Sequence, residues 1–310
     1  MDLRPHSLSL RQLQYAAAVA ETRNFRRAAE LCRVAQPSLS AQLGQLEKTL
    51  GVRLFERTPR GVLLTAAGEE IVARARKLLV GADDLVEAAR RLGDPLAGTM
   101  RLGVIPTISP YLLPAIVPAL RRRHPRLSLV WTEDRTANLV AALDRGTLDA
   151  ALLALEAEIG DLDHEVIARD PFVLATPREH PLARPARKAR REDLDGVPLL
   201  LLDDGHCFRD QALAFCGPAG AHELGFRATS LSTLTQMVAS GAGVTLLPAL
   251  AVPAEGRRAQ LALRSFAAPE PSRTIALVWR PSSPLAAGLR ELAATMRSAY
   301  PAAPSAAPKK

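Results

Sequence analysis

The sequence predicts a chain in two parts, an all-α N-terminal domain followed by a larger α/β body built as two lobes. Apolar residues recur at helical spacing through about the first ninety residues, whereas short apolar runs alternate with helix-length segments from Gly98 onward. With 310 residues, of which 48% are hydrophobic and 23% charged, the chain can form a substantial core in each part.

The domain boundaries follow from these changes of pattern. Residues 301–310 are rich in Pro, Ala and Ser, a composition that predicts a disordered tail. We expect the following segments: an N-terminal domain over 1–65, a linker helix over 66–95, and a body over 98–305 whose first lobe covers about 98–168 plus 274–305 and whose second lobe covers about 169–273.

Three helices and a β-hairpin are predicted in the N-terminal domain. The first helix is interrupted at Arg23-Asn24, and a second follows over Phe25 to Cys32. A third begins at Gln36-Pro37-Ser38, because proline suits a first helical turn, and it ends at Gly51. Two short apolar strands enclose a Pro/Arg/Gly turn within Val52 to Thr65, which indicates a β-wing. Together these elements predict a winged helix-turn-helix.

The charge and the polar face of the third helix indicate a double-stranded DNA partner. Residues 1–65 carry ten Lys/Arg against five Asp/Glu, a net +5 of the formal +8 of the chain. Short or amide side chains opposite the leucine face can approach base edges, and nearby arginines can contact phosphates. The alternative is a small solvated domain with surface arginines. The candidate DNA-binding residues are Arg26, Arg27, Gln36, Pro37, Ser38, Ser40, Gln42, Gln45, Arg57 and Arg60.

A long linker helix is predicted from Thr65, which caps it, to about Leu92. Its apolar residues alternate in steps of four and three, the 3.5-residue repeat of a coiled-coil seam. We therefore expect a homodimer, as a DNA site with two half-sites would require. An ordinary amphipathic helix packed on a core is the alternative. The seam residues are Ile71, Ala75, Leu78, Ala82, Leu85, Ala89 and Leu92.

The body has the pattern of parallel β-α-β units. We predict two Rossmann-like lobes joined by two crossovers, with the last strand and the final helix completing the first lobe. Ligands of such bodies bind in the crevice at the carboxyl ends of strands. The predicted strands are Met100 to Ile105, Leu127 to Trp131, Ala150 to Leu153, Phe172 to Ala175, Pro198 to Leu202, Arg227 to Thr229, Val244 to Leu247 and Thr274 to Trp279.

Two of the three cysteines, Cys207 and Cys216, bracket a segment whose composition favours a helix. In a helix their Cα atoms would lie about 13 Å apart on opposite faces, whereas a disulfide needs Cα atoms within about 7 Å. A bond between them would therefore require the helix to unwind. Cys207 is the more reactive candidate, because the helix N-terminus, His206 and Arg209 would favour its thiolate. Cys216, on an apolar face, would be a shielded resolving thiol.

The expected compartment makes this pair informative. No apolar run approaches the roughly 18 residues of a membrane span, and the N-terminus lacks the hydrophobic stretch of a signal peptide. We therefore expect a cytoplasmic, nucleoid-associated protein with no membrane partner. Thiols are normally reduced in the cytoplasm, which favours metal-binding, catalytic or redox-sensing cysteines over a structural disulfide.

Three other interpretations of the cysteines remain open from the residues alone. The thiols can be inert small hydrophobic groups, the state we also assign to Cys32. His206, Cys207, Cys216 and His222 can bind zinc, although their spacing matches no familiar zinc motif. A thiol oxidoreductase is the third, but a CxxC-type motif is absent and the DNA-binding domain argues against an enzyme. We expect no cofactor.

Several segments resemble the LysR-type transcriptional regulators. Phe25 to Glu30, Gln36 to Gly51 and Leu54 to Arg57 are similar to their winged helix-turn-helix, and Gly241 to Pro248 is similar to a glycine turn and strand of their effector domain. The resemblance implies a periplasmic-binding-protein-like regulatory domain, a homodimer that assembles into a homotetramer, and RNA polymerase as a partner. In most members a small metabolite binds between the lobes, and here the cysteines would then be incidental.

Other segments are similar to the hydrogen-peroxide-sensing members of the same family. These are Leu202 to Cys216, Phe226 to Leu231, Thr245 to Pro253, Ile105 to Thr107 and Arg273 to Ile275. The resemblance implies a regulator that activates oxidative-stress genes, and it extends over nearly the whole chain.

The peroxide-sensing resemblance also implies roles for individual residues. Peroxide would oxidise Cys207, the peroxidatic cysteine, and Cys216 would form a reversible disulfide with it. A glutaredoxin- or thioredoxin-type reductant would restore the thiols. The implied peroxide-binding or supporting residues are Thr107, Thr136, His206 and Arg273, the last of which would otherwise be a surface strand residue. One position departs from the pattern, since Gly225 stands where these members carry a histidine.

Overall fold

The computed structural model describes residues 8–58, 61–90, 96–184 and 187–301. Its contacts divide the chain into two units, Met1–Arg90 and Arg91–Lys310. The predicted tail falls outside the described residues from position 302 onward. No helix in the described part of the chain is long and apolar enough to cross a membrane.

The first unit begins with three helices and a hairpin, as the sequence predicts. Ser9 and Gln12 form a capping box at the start of the first helix, and Asn24 caps the second. Gly51, with φ 71°, ends the third in the left-handed conformation. These elements are α1 (Leu10–Thr22), α2 (Phe25–Leu31), α3 (Gln36–Leu50), and the antiparallel strands β1 (Phe55–Thr58) and β2 (Gly61–Leu64).

Helix α4 (Ala66–Arg90) follows, and the Thr65 hydroxyl caps it by accepting the Gly68 N–H at 2.9 Å. Its first half packs on the core of the first unit through residues that include Ala75. Further along, Leu78 and Leu85 of the predicted seam are 57% and 74% exposed. The first half of α4 is therefore an ordinary amphipathic helix packed on a core, whereas its second half carries exposed leucines. Pairing of α4 with a second chain stays a prediction.

The second unit contains the predicted alternation of strands and helices. Its elements are β3 (Gly98–Val104), α5 (Ser109–Arg123), β4 (Leu127–Glu133), α6 (Thr136–Asp144), β5 (Ala150–Ala154), β6 (Asp163–Thr176), β7 (Pro198–Leu202), α7 (Cys207–Cys216), β8 (His222–Ala228), α8 (Leu231–Ala239), β9 (Thr245–Pro248), α9 (Val252–Arg258), β10 (Ala262–Ser265), β11 (Ser272–Trp279) and α10 (Ala286–Ser298).

The main sheet of the second unit has the order β10-β6-β11-β5-β3-β4, with β9 also paired to β6. Strands β3, β4 and β5 are parallel, whereas β11 is antiparallel to both β5 and β6. Strand β11 therefore lies beside β5, and α10 packs in the same hydrophobic cluster as β3 and β5. The predicted parallel β-α-β units are present in β3, β4 and β5, and the returning strand β11 enters the sheet in the opposite direction.

Strand β6 is the largest difference from the predicted elements. The apolar run Phe172 to Ala175 is only its second half, which pairs with β9 and β10. Its first half, from Asp163 to Asp170, contains five polar or charged residues around Val166-Ile167-Ala168 and pairs with β11. One strand thus passes from the first lobe into the second.

Each lobe has its own hydrophobic cluster. The first-lobe core contains Leu102, Leu152, Leu277 and Leu289, from β3, β5, β11 and α10. The second-lobe core contains Leu200, Phe208, Leu234 and Leu246, from β7, α7, α8 and β9.

Candidate functional site

Helix α7 places the two cysteines of the pair at its two ends, as the sequence predicts. Cys207 is its first residue, after the N-cap His206, and Cys216 is its last. Both thiols are free and buried, with 8% of Cys207 and 0% of Cys216 exposed. Cys207 packs in the first-lobe core, whereas Cys216 packs in the second-lobe core. The helix therefore inserts one thiol into each core.

A small pocket lies at the Cys207 end of α7. Its volume is about 10 Å³, which is room for about one water molecule. The segments that follow β3 and β4 form one side, and the loop that leads into α7 forms the other. Four of the predicted site residues therefore meet here. The pocket is lined by Ile105, Pro106, Thr107, Arg135, Thr136, Gly205, His206 and Cys207.

Arg273 lies behind this pocket and is fully buried, so its default assignment as a surface strand residue is wrong. Its guanidinium donates to the Thr107 hydroxyl at 2.8 Å and to the Thr107 carbonyl at 3.0 Å. Its Nε donates to Asp170 Oδ2 at 3.0 Å, which compensates the buried charge. Because the Thr107 oxygen accepts from Arg273, the hydroxyl proton of Thr107 is available to a molecule in the pocket.

The Thr136 hydroxyl is buried and makes no conventional hydrogen bond to the described residues. It lies at the first position of α6, next to the pocket and near the Cys207 thiol. A buried hydroxyl without such a bond is uncommon and costly in a folded protein. A small polar molecule in the pocket would satisfy it.

The prediction of a low-pKa thiolate at Cys207 is wrong for this conformation. Burial raises the pKa of Cys207, while Arg273, the Thr136 hydroxyl and the Phe208 N–H act in the opposite direction. The thiol of Cys207 therefore rests protonated near neutral pH. Its thiolate, once formed, would face three groups that stabilise negative charge.

Arg209 and His206, which the sequence predicts to favour the Cys207 thiolate, have different roles in the structure. Arg209 donates a bidentate pair to Glu223 at 2.7 and 2.9 Å and also pairs with Asp204 at 3.0 Å. The cation that favours the Cys207 thiolate is therefore Arg273. Burial lowers the pKa of His206, with Arg135 adding to the effect, so the His206 ring is neutral at pH 7 and can polarise its surroundings only as a dipole.

The surroundings of Cys216 are apolar, as predicted for a shielded thiol. Burial raises the pKa of Cys216 to about 12, opposed only by the charge of Arg191. The neighbouring Phe215 packs edge-to-face on Phe266 with ring centroids 5.0 Å apart. At pH 8 only about one Cys216 in 10⁴ would carry the thiolate.

The departure at Gly225 leaves no gap in the pocket. Gly225 is exposed on β8 with open space around the place of a Cβ, and His222 is exposed as well. Neither residue lines the Cys207 pocket. Among the residues that the structure describes, no group of three or more His, Cys, Asp or Glu could hold a metal ion, so the zinc interpretation gains no support.

Arg135 and Asp170 are two residues of this site that the sequence reasoning missed. Arg135 precedes the first turn of α6 after β4, a strand-end position equivalent to that of Thr107 after β3. Asp170 is the cross-strand partner of Arg273 between β6 and β11. The strand-end position could have drawn attention to Arg135, but the partner of Arg273 depends on a register that the sequence does not display.

Apart from Arg60, the predicted DNA-binding residues lie on α2, α3 and β1. Arg26 and Arg27 are exposed on α2, where Arg26 pairs with Glu30 at 3.2 Å. Gln42 is exposed and accepts a hydrogen bond from the Gln12 side chain at 3.1 Å. Gln36, Pro37, Ser38 and Gln45 are exposed, and Ser40 is half-buried. Arg60 and the side chain of Arg57 lie outside the described residues.

Glu47 of α3 connects this face to the wing, because one carboxylate oxygen accepts from the Leu54 and Phe55 N–H groups at 2.7 and 3.3 Å. The orientation of α3 is thereby fixed relative to β1.

Comparison with known proteins gives a consistent result for both units. Residues 10–69 match the family model of the bacterial regulatory helix-turn-helix protein, lysR family, and residues 93–301 match that of the LysR substrate binding domain. The hydrogen peroxide-inducible genes activator of Pectobacterium carotovorum is 48% identical over 94% of this chain and 96% of its own. The DNA-binding transcriptional dual regulator OxyR of Escherichia coli K12 is 47% identical over 94% and 95%.

Solved structures agree. A full-length OxyR variant from Pseudomonas aeruginosa covers 94% of this chain and 96% of its own at 38% identity, with a TM-score of 0.73. A cysteine variant of Corynebacterium glutamicum OxyR with hydrogen peroxide bound covers 96% and 94% at 34% identity, with a TM-score of 0.64. The chain therefore belongs to the LysR family of transcriptional regulators and, within it, to the OxyR group.

Proposed function

We propose that this chain is a transcriptional regulator that binds operator DNA through α3 and the wing and that is switched when hydrogen peroxide oxidises Cys207. The observation that carries the proposal is the pocket at Cys207. It has room for a small molecule, and the buried hydroxyl-bearing residues Thr107 and Thr136 both line it. These groups suit hydrogen peroxide, which both donates and accepts hydrogen bonds.

The DNA half of the proposal rests on the exposed face of α3. In the first turn of the helix, Gln36, Pro37 and Ser38 would approach the major groove together with Ser40, and the amides of Gln42 and Gln45 would contact base edges. Arg26, Arg27 and the wing residues Arg57 and Arg60 would contact phosphates.

The first chemical step is a two-electron oxidation of one thiol. The Cys207 thiolate attacks one peroxide oxygen, an S–O bond forms, and the O–O bond breaks. Hydroxide leaves from the distal oxygen and becomes water when it takes a proton. Thr107 would donate to the peroxide, and Arg273 behind it would stabilise the negative charge that moves from sulfur to oxygen.

The second step joins the cysteines. The Cys216 sulfur attacks the sulfur of the sulfenic acid, an S–S bond forms, and the hydroxyl leaves as water. In α7 the two Cα atoms are about 13 Å apart, nearly twice the largest distance that a disulfide spans. The helix would have to unwind, which would withdraw Cys207 from the first-lobe core or Cys216 from the second. The rearrangement is thus an unavoidable consequence of the bond.

Reversal would need a dithiol reductant, of the glutaredoxin or thioredoxin type, that exchanges with the disulfide. The exposed leucines of α4 would pair two chains, and two such dimers would form the homotetramer. RNA polymerase would receive the output at promoters, where a DNA-binding regulator of this type acts in the bacterial cytoplasm. The product is then a change in transcription, with no substrate turnover.

The test is a footprint on an operator selected from a pool of random double-stranded DNA with the reduced full-length protein. We expect peroxide to change the footprint of the wild type and of Cys32→Ser, and to leave that of Cys207→Ser unchanged. Unchanged footprints and promoter output in the wild type and in Cys207→Ser alike would favour a metabolite-responsive regulator with incidental cysteines.

A further inference from the structure

Arg135 and Gly205 form the solvent-facing rim of the Cys207 pocket. Both are exposed, whereas Thr107, Thr136, His206 and the other lining residues are buried or half-buried. Arg135 is the longest side chain of the lining, and 43% of that side chain is exposed. A molecule that reaches the Cys207 thiol through this rim must pass Arg135.

The Arg135 side chain lies directly against the Gly205 backbone. Gly205 has φ +85°, and a Cβ at this position would lie 3.1 Å from both Cδ and Nη1 of Arg135. The guanidinium also reaches Asp203 Oδ2 at 3.5 Å. Arg135 stands at the N-cap of α6 in the first lobe, while Asp203 and Gly205 belong to the loop before α7. Its side chain therefore crosses the mouth of the pocket from one wall to the other.

We propose that Arg135 is the specificity-determining residue at the entrance of the Cys207 pocket, where its side chain admits hydrogen peroxide and obstructs alkyl hydroperoxides. The inference rests on the proposed function, because it assumes that Cys207 reacts with peroxide. Hydrogen peroxide has two heavy atoms and needs little more room than the water-sized space present. A tert-butyl group cannot share that space with the Arg135 side chain in its observed position.

The other lining residues of the pocket cannot provide this selection. Gly205 has no side chain, Pro106 is a rigid ring, and Thr107 and Thr136 are fixed by burial. The Arg135 side chain is flexible, and its contact with Asp203 is a long, half-exposed ion pair of small expected energy. It can therefore move aside transiently for a small molecule, while a bulky one would have to displace it for the whole reaction.

The experiment compares Arg135→Ala with Arg135→Met, which keeps most of the bulk without the charge. Second-order rate constants for sulfenic acid formation at Cys207 are measured with hydrogen peroxide and with tert-butyl hydroperoxide, in full-length protein carrying Cys216→Ser so that the reaction stops there. The readout is the rate constant with hydrogen peroxide divided by the rate constant with tert-butyl hydroperoxide. We expect this ratio to fall at least about tenfold in Arg135→Ala and to stay within about threefold of the parent in Arg135→Met. Arg145→Ala, which removes an exposed arginine at the other end of α6, is the matched control and should keep the ratio.

The ratio isolates entry because both peroxides react with the same Cys207 thiolate. A change in the fraction of thiolate or in the stability of the domain alters both constants equally and cancels. An unchanged ratio in Arg135→Ala overturns the inference, and so does an Arg135→Met variant as permissive as the alanine variant. If the parent forms no sulfenic acid at Cys207 with hydrogen peroxide, the proposed function itself fails.

Discussion

Cys207 and Cys216 occupy the two ends of one ten-residue helix, yet the first faces a small pocket that two threonines and a histidine help to line, and the second faces hydrocarbon. Burial raises the pKa of both thiols, but at Cys207 it is opposed by Arg273, the Thr136 hydroxyl and a helix N–H, and at Cys216 by Arg191 alone. The difference in environment therefore separates the two chemical roles. One end can receive an oxidant, and the other is protected until the helix opens.

The comparison also shows where the energy of the switch lies. Cys207 contributes to the first-lobe core and Cys216 to the second, so no movement that joins them leaves both cores intact. Withdrawing a buried side chain of this size costs on the order of 1–2 kcal/mol. The bond must supply this energy, which couples oxidation of two sulfurs to the packing of both lobes.

The strongest test of the comparison replaces each cysteine in turn. We expect Cys207→Ser to lose peroxide-dependent sulfenic acid formation by about a thousandfold or more, because Cys216 is fully buried and has no appreciable thiolate fraction. Cys216→Ser should form the sulfenic acid at Cys207 and stop there. Dimedone trapping followed by mass spectrometry distinguishes the species.

Cys32→Ser is the matched control, since Cys32 is a half-buried thiol of the first unit and should leave the reaction unchanged. If Cys207→Ser still formed sulfenic acid at Cys216 at a rate comparable to that of Cys207 in the wild type, the two ends of α7 would not differ in reactivity.

A second test removes the buried cation at the Cys207 end. Arg273→Met leaves Asp170, 1% exposed, without its charge partner, and we expect the free energy of unfolding to fall by about 3–5 kcal/mol. Without the cation the pKa of Cys207 rises further, so oxidation at pH 7 should also slow. Urea denaturation and the sulfenic acid rate measure the two effects.

Arg297→Met provides the matched control in the same unit. Arg297 and Glu165 form a half-exposed pair, whose loss should cost less than about 1 kcal/mol. Arg273→Lys should restore part of the stability but not the forked contact with Thr107 and Asp170. Equal losses of unfolding free energy in Arg273→Met and Arg297→Met would mean that the buried Arg273–Asp170 pair stabilises the protein no more than the half-exposed Arg297–Glu165 pair.

The third test uses pH. The pKa of Cys207 is raised above the ordinary value of a cysteine, so its thiolate fraction, and with it the alkylation rate, should still be rising at pH 9. Cys216, with a pKa of about 12 and no exposed surface, should be labelled at least about a hundredfold more slowly at every pH. Iodoacetamide labelling of the reduced protein, followed by peptide mapping, gives both rates. A plateau for Cys207 below pH 8 would contradict the burial argument.

Much of the fold follows from local patterns, as the first unit illustrates. Its helix boundaries lie where Asn24, Pro37 and Gly51 place them, because caps and left-handed glycines act within one or two residues. Helix α7 was predictable from the helix-favouring composition between Cys207 and Cys216. Strand β6 was only half predicted, because its polar first half is stabilised by pairing with β11, a strand about a hundred residues later.

The residues of the candidate site likewise fall into those that local sequence identifies and those that depend on long-range pairing. The cysteines, His206 and the threonines at strand ends could be identified from position and resemblance. The burial of Arg273 could not, because it depends on Asp170 in the opposite strand, and neither could the redirection of Arg209 to Glu223. Long-range pairing decides which cation faces a thiol, and the linear sequence does not record it.

The smallest expected effect concerns the ion pair that anchors the first turn of α7. Arg209, with 9% of its side chain exposed, is held by Glu223 on β8 and by Asp204, so a helix that unwinds must break these contacts. Glu223→Gln weakens only the helical, dithiol form, by about 1 kcal/mol once the partial exposure of Glu223 is considered. Because the dithiol loses stability relative to the disulfide, the reduction potential should become more negative by about 20 mV.

Redox titration in dithiothreitol buffers measures this potential, with Lys188→Gln as the control that removes a surface charge from the same unit. An unchanged potential in Glu223→Gln would mean that the Arg209–Glu223 pair survives disulfide formation. In that case the opening of α7 would begin beyond its first turn, and Cys216 would be the end that moves. A more negative potential instead locates the opening at the Cys207 end, because only there does the helix depend on Glu223.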